Sequence, residues 1–116
     1  LNPEGSEGPR VLNDGGTAWI LGMKTEGDAT AVHSRNGAMT EVAAFYYANT
    51  GRPKKPLYII EEGCGLSTTF GQAAFRKEPF KELVIQTLKG ETKTLTQEGL
   101  PGRAGGAAVT LFVAKP

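Results

Sequence analysis

Residues 15–27, GGTAWILGMKTEG, decide how the chain is read. Residues 18–23 are an apolar run with Gly22 inside it, and a charged KTEG turn follows. In an extended strand, alternation puts Trp19, Leu21 and Met23 on one side and Ala18, Ile20 and Gly22 on the other. Both sides are apolar or small. Such a strand is expected to be covered on both faces, or covered on one and closely stacked on the other. NDGG at 13–16 turns the chain into it, because Asn, Asp and Gly tolerate positive φ.

Further strands are expected outward from this run. TAVHS at 30–34, TEVAAFYYA at 40–48, LYIIEE at 57–62, LSTTF at 66–70 and AVTLFVA at 108–114 are short and apolar, and each is bounded by turn residues. Asn36-Gly37 is the strongest short turn pair among them. FKELVIQTL at 80–88 reads as strand or helical turn. KGE at 89–91 reads as a hairpin turn or a turn between stacked rungs. The expected organisation is an irregular arm at 1–16 and one all-β domain at 17–116, with a flexible loop at 99–107. Two architectures compete: a solenoid of stacked coils and an antiparallel β-sandwich.

The 116 residues suit one domain with a modest core. Sixteen glycines and seven prolines supply many turns and argue against a helical bundle. A net charge of +1, with scattered basic residues, gives no bulk attraction to nucleic acid or anionic lipid. No apolar stretch is long enough to span a bilayer as a helix. The single cysteine, Cys64, excludes an internal disulfide and a paired-cysteine metal cluster. A small buried thiol is its expected state. The start, LNPEGSEGPR, shows no leader peptide. A first residue of Leu1 fits a trimmed or partial chain, so a larger parent is expected.

Trp19 to Val42 and Val42 to Leu66 are steps of 23 and 24 residues between similar strands. Steps just above twenty lie in the range of solenoids. GGTAWILGMKTEG, then NGAMTEVAAFYYANTG, then GLSTTFGQAAFR resembles a run in pectate-lyase-like proteins of the right-handed parallel β-helix superfamily, over about residues 13–76. The resemblance implies a short right-handed parallel β-helix, a C-terminal segment of a longer one. It also implies an extracellular or cell-envelope location and a polysaccharide as partner. Polysaccharide lyases of that superfamily combine acids that hold calcium with an Arg or Lys base. No catalytic motif of theirs is present residue by residue. A short stack also exposes its end strands unless they are capped, so self-association is expected as well.

Six residues are candidates for catalysis: Lys24, Glu26, Asp28, His33, Arg35 and Glu41. Glycoside chemistry needs two carboxylates several ångströms apart. Glu26 and Asp28 share a turn and Glu41 begins the next strand, with Lys24 and Arg35 near them. Glu61 and Glu62 are further acids. His33, the only histidine, has the titration range of a general base. The plainer expectation for each acid is a solvated turn, and for His33 a rim position. Tyr46 and Tyr47 point to opposite sides of a strand, so one of them is expected outside, where it could stack on a sugar ring. Trp19, Phe45 and Phe112 are expected in the core. No metal site is expected from the residues themselves.

Three functions follow. The first is a non-catalytic carbohydrate-associated or structural segment of a secreted β-helix protein. The second is an oligomerising interaction protein. The third is a polysaccharide lyase or glycoside hydrolase, which the missing constellation disfavours for this chain alone.

Overall fold

The computed structural model describes residues 8–27, 29–47, 55–73, 80–96 and 107–116, with backbone alone at 47 and 107–111. The described residues are all β, without a helix. Nine strands occur among the described residues: β1 (Val11–Asp14), β2 (Thr17–Glu26), β3 (Val32–Arg35), β4 (Met39–Tyr47), β5 (Tyr58–Ile60), β6 (Gly65–Ala73), β7 (Glu82–Leu88), β8 (Glu91–Thr96) and β9 (Ala107–Ala114).

They form two mixed sheets, ordered β1-β3-β5-β7-β8 and β2-β4-β6-β9. Alternate strands pair in parallel. Val11 lies beside Val32, Val32 beside Tyr58, and Tyr58 beside Val84. In the other sheet Ile20 lies beside Val42, and Val42 beside Thr68. The turns between the sheets stack as well: Gly15 N donates to Arg35 O, Met39 N to Gly16 O, and Gly65 N to Ala38 O. On the far side, Val11 N donates to Ala31 O, Ala31 N to Leu57 O, and Leu57 N to Glu82 O. Backbone bonding therefore joins successive layers both in the strands and at their corners. The strand that holds the apolar run at 18–23 lies against β4, as β4 lies against β6.

Among the described residues, antiparallel pairing occurs at one end only. There β8 adds to β7 and β9 adds to β6. Lys89-Gly90 closes a hairpin, whereas Asn36-Gly37 carries the chain from one sheet to the other. The sheets are thus not the wholly antiparallel ones of a sandwich. Asn36 and Lys89 have positive φ, and so do Gly15, Gly37, Gly63 and Gly90, which is the left-handed geometry such tight turns demand.

Two expectations change, and one open choice closes. Residues 11–14, read as part of an irregular arm, form β1. Of the two readings of 80–88 the strand holds, as β7. The steps of 23 and 24 residues are replaced by pairings of Val42 with Ile20 and Thr68. Most of the expected loop at 99–107 lies outside the described residues.

The core lies between the sheets. Tyr46, Tyr58, Leu57, Ile60, Val32, Val42, Phe70, Phe80, Leu83 and Val84 are buried there. Tyr46, Tyr58 and Phe70 meet edge-on or tilted, with centroids 5.3–6.0 Å apart. A hydroxyl chain runs through them, 2.6 Å between Tyr46 Oη and Tyr58 Oη and 3.0 Å between Tyr58 Oη and Thr68 Oγ1. Gln72 seals one margin by bonding both ways with the Phe80 backbone, at 3.0 Å each.

Candidate functional site

The surface divides by sheet. On β2-β4-β6-β9 the outward residues of the first layer are Thr17, Trp19 and Leu21. Trp19 is 77% exposed and Leu21 74%. Met39, Phe45 and Val113 are also exposed on this sheet. Across it, Trp19, Glu41, Ser67 and Val113 share one register line, and Leu21, Ala43 and Thr69 share the next. Large residues on β2 and β9 therefore flank small ones on β6. One open depression, of about 260 Å³, lies over Trp19, Met39, Glu41, Gly65, Ser67 and Val113.

Gly22 explains why Trp19 faces outward. It is an extra residue in β2, with φ of 91° and no partner in β4, between the Leu21–Ala43 and Met23–Ala44 pairs. The bulge reverses the phase of alternation. Trp19 and Leu21 face out before it, while Met23 and Thr25 are buried after it. Strict alternation, which grouped Trp19 and Leu21 with Met23, fails at this residue. The expectation of a core Trp19 is corrected for the same reason. Phe45 too is exposed, whereas Phe112 packs partly buried against the core.

The tyrosine expectation changes as well. Tyr46 is fully buried and cannot stack on a ligand in this fold. Burial pushes its hydroxyl far above the usual tyrosine range, and the neighbouring Tyr58 adds to the shift. Tyr58 is pushed up to about 12, again chiefly by burial. The side chain of Tyr47 lies outside the described residues.

The other sheet carries polar pairs on its outer face. His33 Nε2 is 2.6 Å from Glu61 Oε2. Arg35 Nη2 donates to Asp14 Oδ2 at 2.9 Å, and Asn36 Nδ2 donates to Asp14 Oδ1. The Asn36 hydrogen bond, then that of Arg35, holds the Asp14 carboxyl below its ordinary pKa. The same pair raises Arg35. These contacts join neighbouring layers side to side and are spent on one another.

The six candidate catalytic residues are not gathered in one place. Lys24 Nζ lies 3.8 Å from Glu26 Oε1 on β2, and Glu41 is exposed on β4. Glu26 registers with Tyr47, six residues along β4 from Glu41. At about 3.3 Å per residue that is roughly 20 Å, well beyond the ~5–9.5 Å between carboxyls in glycosidases. His33 and Arg35 belong to the other sheet. Asp28 lies outside the described residues. Among the described residues no group of three His, Cys, Asp or Glu is placed to hold a metal. Cys64 is buried and unpaired in a disulfide. Among the described residues, no helix is long and apolar enough to cross a membrane.

The sequence signal for the exposed face was present but ambiguous, because an apolar run with a central glycine fits a buried strand as well as a bulged one. Comparison with known proteins finds no matching family model, no matching curated protein and no matching solved structure.

Proposed function

We propose that the chain is a non-catalytic structural segment of a short right-handed parallel β-helix, whose β1–β2 layer receives a further β layer. The observation that carries this reading is the contrast between the two ends of the stack. At one end the outermost strands, β8 and β9, run antiparallel to β7 and β6 and break the parallel register. At the other, the outermost strands β1 and β2 run parallel to their neighbours, and no strand among the described residues pairs with their free edges. A layer with two open edges presents unpaired N–H and C=O groups, which favour another strand. The dispersal of the acids and bases supports a non-catalytic role. The expected result with purified chain is no release of reducing ends from acidic or neutral polysaccharides. Release that is lost in Glu26→Gln or Glu41→Gln contradicts the proposal and supports the lyase or hydrolase reading.

A second reading, association with a secreted polysaccharide, is favoured by Trp19, which stands exposed in line with Glu41 and Ser67. An indole beside polar side chains can stack on a sugar ring while they bond its hydroxyls. Binding on a glycan array that disappears in Trp19→Ala supports this reading. Absence of binding removes it and leaves the structural role.

A further inference from the structure

We infer that the depression over Trp19 and Glu41 selects a polysaccharide that bears protonated amines, such as glucosamine units, over an acidic one. This rests on the second reading above, sugar association at Trp19, and names the class of sugar. Along β4, Glu41 stands between Met39 and Ala43 on the outer face, and across the sheet between Trp19 and Ser67. The diagonal positions on the same face are Thr17, Leu21, Gly65 and Thr69. None of these neighbours is charged. Among the described residues, no ion pair joins Glu41 to a cation. Lys24 lies beyond the bulge, with its Nζ 3.8 Å from Glu26 Oε1. Lys115 follows β9 at the far margin of the depression, and β9 is two strands from β4, roughly 10 Å. A carboxylate among uncharged side chains gives the Trp19 side of the depression a negative potential. Such a potential attracts a cation and repels a uronate.

Trp19 adds a second attraction for the same charge. Its indole is exposed and registers directly with Glu41, one strand away. The negative face of an indole favours a nearby cation. A pyranose stacked on Trp19 can present its ammonium to Glu41 across one strand spacing, ~4.8 Å, and its hydroxyls to Ser67 beyond. Met39 closes the neighbouring side: its Sδ and Cε lie 2.9 and 2.7 Å from where a Cβ on Gly65 would stand. The volume of about 260 Å³ is close to the ~300 Å³ lower end of ligand clefts, which suits a single seated ring. A lysine side chain of a protein partner would also meet Glu41, but it offers no hydroxyl to Ser67 and no ring to the indole.

Trp19 is the sole tryptophan of the chain, so its fluorescence reads the depression directly. Titrations in mildly acidic buffer compare a glucosamine oligomer with its N-acetylated counterpart, a galacturonate oligomer and oligolysine. The glucosamine oligomer is expected to bind tightest, and added salt to weaken it. Glu41→Gln is expected to weaken it by about fivefold, the scale of an exposed ion pair, and to leave the acetylated oligomer unchanged. Trp19→Ala, followed by calorimetry, is expected to weaken both by roughly tenfold or more. Both side chains are exposed, so neither change should alter the far-ultraviolet circular dichroism. Galacturonate binding as tightly as glucosamine, or indifference to Glu41→Gln, overturns the inference. An equal response to oligolysine overturns it too, and assigns the depression to a basic protein partner. The acetylated oligomer separates the two proposals. If it binds through Trp19 and the free amine adds nothing, only the choice of amine fails. If no sugar binds, the sugar reading fails with it.

Discussion

The two ends of the stack are built from the same kind of layer but finished differently. At one end the chain reverses at Lys89-Gly90 and lays β8 along β7, while β9 returns along β6. Those two strands cover the edges of β7 and β6 and become the outermost strands of their sheets. At the other end, β1 and β2 carry Leu12, Trp19 and Leu21 exposed on their surfaces. An antiparallel strand interrupts a parallel register, whereas a parallel edge strand leaves that register open to continue. This molecule has the first at one end and the second at the other.

The largest expected contrast is energetic. Tyr58 packs against Tyr46 and Phe70 and links two hydroxyls. Tyr58→Ala is expected to cost about 4 kcal/mol, from lost packing and stranded hydroxyls. Trp19→Ala, at the open end, is expected to change the stability of the dilute monomer by less than about 0.5 kcal/mol. Urea unfolding of the two variants checks this. Equal costs would erase the distinction between the ends.

Alkaline pH probes the same core. Tyr58 ionises near 12 in the fold against 10 when free, and Tyr46 is raised further. The folded state thus holds on to protons that the unfolded chain loses. Stability is full below pH 10 and declines as pH rises toward 12, by on the order of 2 kcal/mol for Tyr58 alone. Tyrosinate absorbance should therefore rise together with unfolding for the buried pair, and Tyr58→Phe should flatten the decline.

The bulge sharpens the comparison on a smaller scale. Gly22 has φ of 91°. Gly22→Ala is expected to cost about 1 kcal/mol through backbone strain. At Gly65 the backbone is ordinary, and an added Cβ meets Met39 Cε and Sδ at 2.7 and 2.9 Å and, in ordinary contact, the Ala114 carbonyl oxygen at 3.4 Å. Met39 is flexible and partly exposed, so Gly65→Ala is expected to cost less. The smallest effect is at Asp14. Its depressed carboxyl pKa adds stability that is present above about pH 4 and lost as pH falls through the lower folded value. Asp14→Asn should remove a slight acid dependence in thermal melts.

Much of the β content was legible because short apolar runs alternate with glycine-bearing turns. The apolar segments near 30–34, 40–48, 57–62, 66–70 and 108–114 all contain strands. β1 was not legible: VLND is four residues long and sits among glycine and proline, where its pairing with β3 supplies the order that local preference does not. The facing of Trp19 turned on Gly22, since one inserted residue inverts a period of two. Alternation at Tyr46 and Tyr47 requires opposite directions but leaves open which side is the core. The hydroxyl chain through Tyr46, Tyr58 and Thr68 joins three strands, β4, β5 and β6, so no local pattern announces it. For the candidate site, the acids and His33 were visible as residue types, while their separation onto two sheets depended on the fold.

Backbone nuclear magnetic resonance tests the layered arrangement most directly, through contacts between strands. Parallel layers predict contacts of Val32 with Tyr58 and of Val42 with Thr68, so that partner numbers climb together along the chain. Contacts in which one partner's number climbs as the other's falls, such as β3 folding back on β4 as a hairpin around Asn36-Gly37, would contradict it.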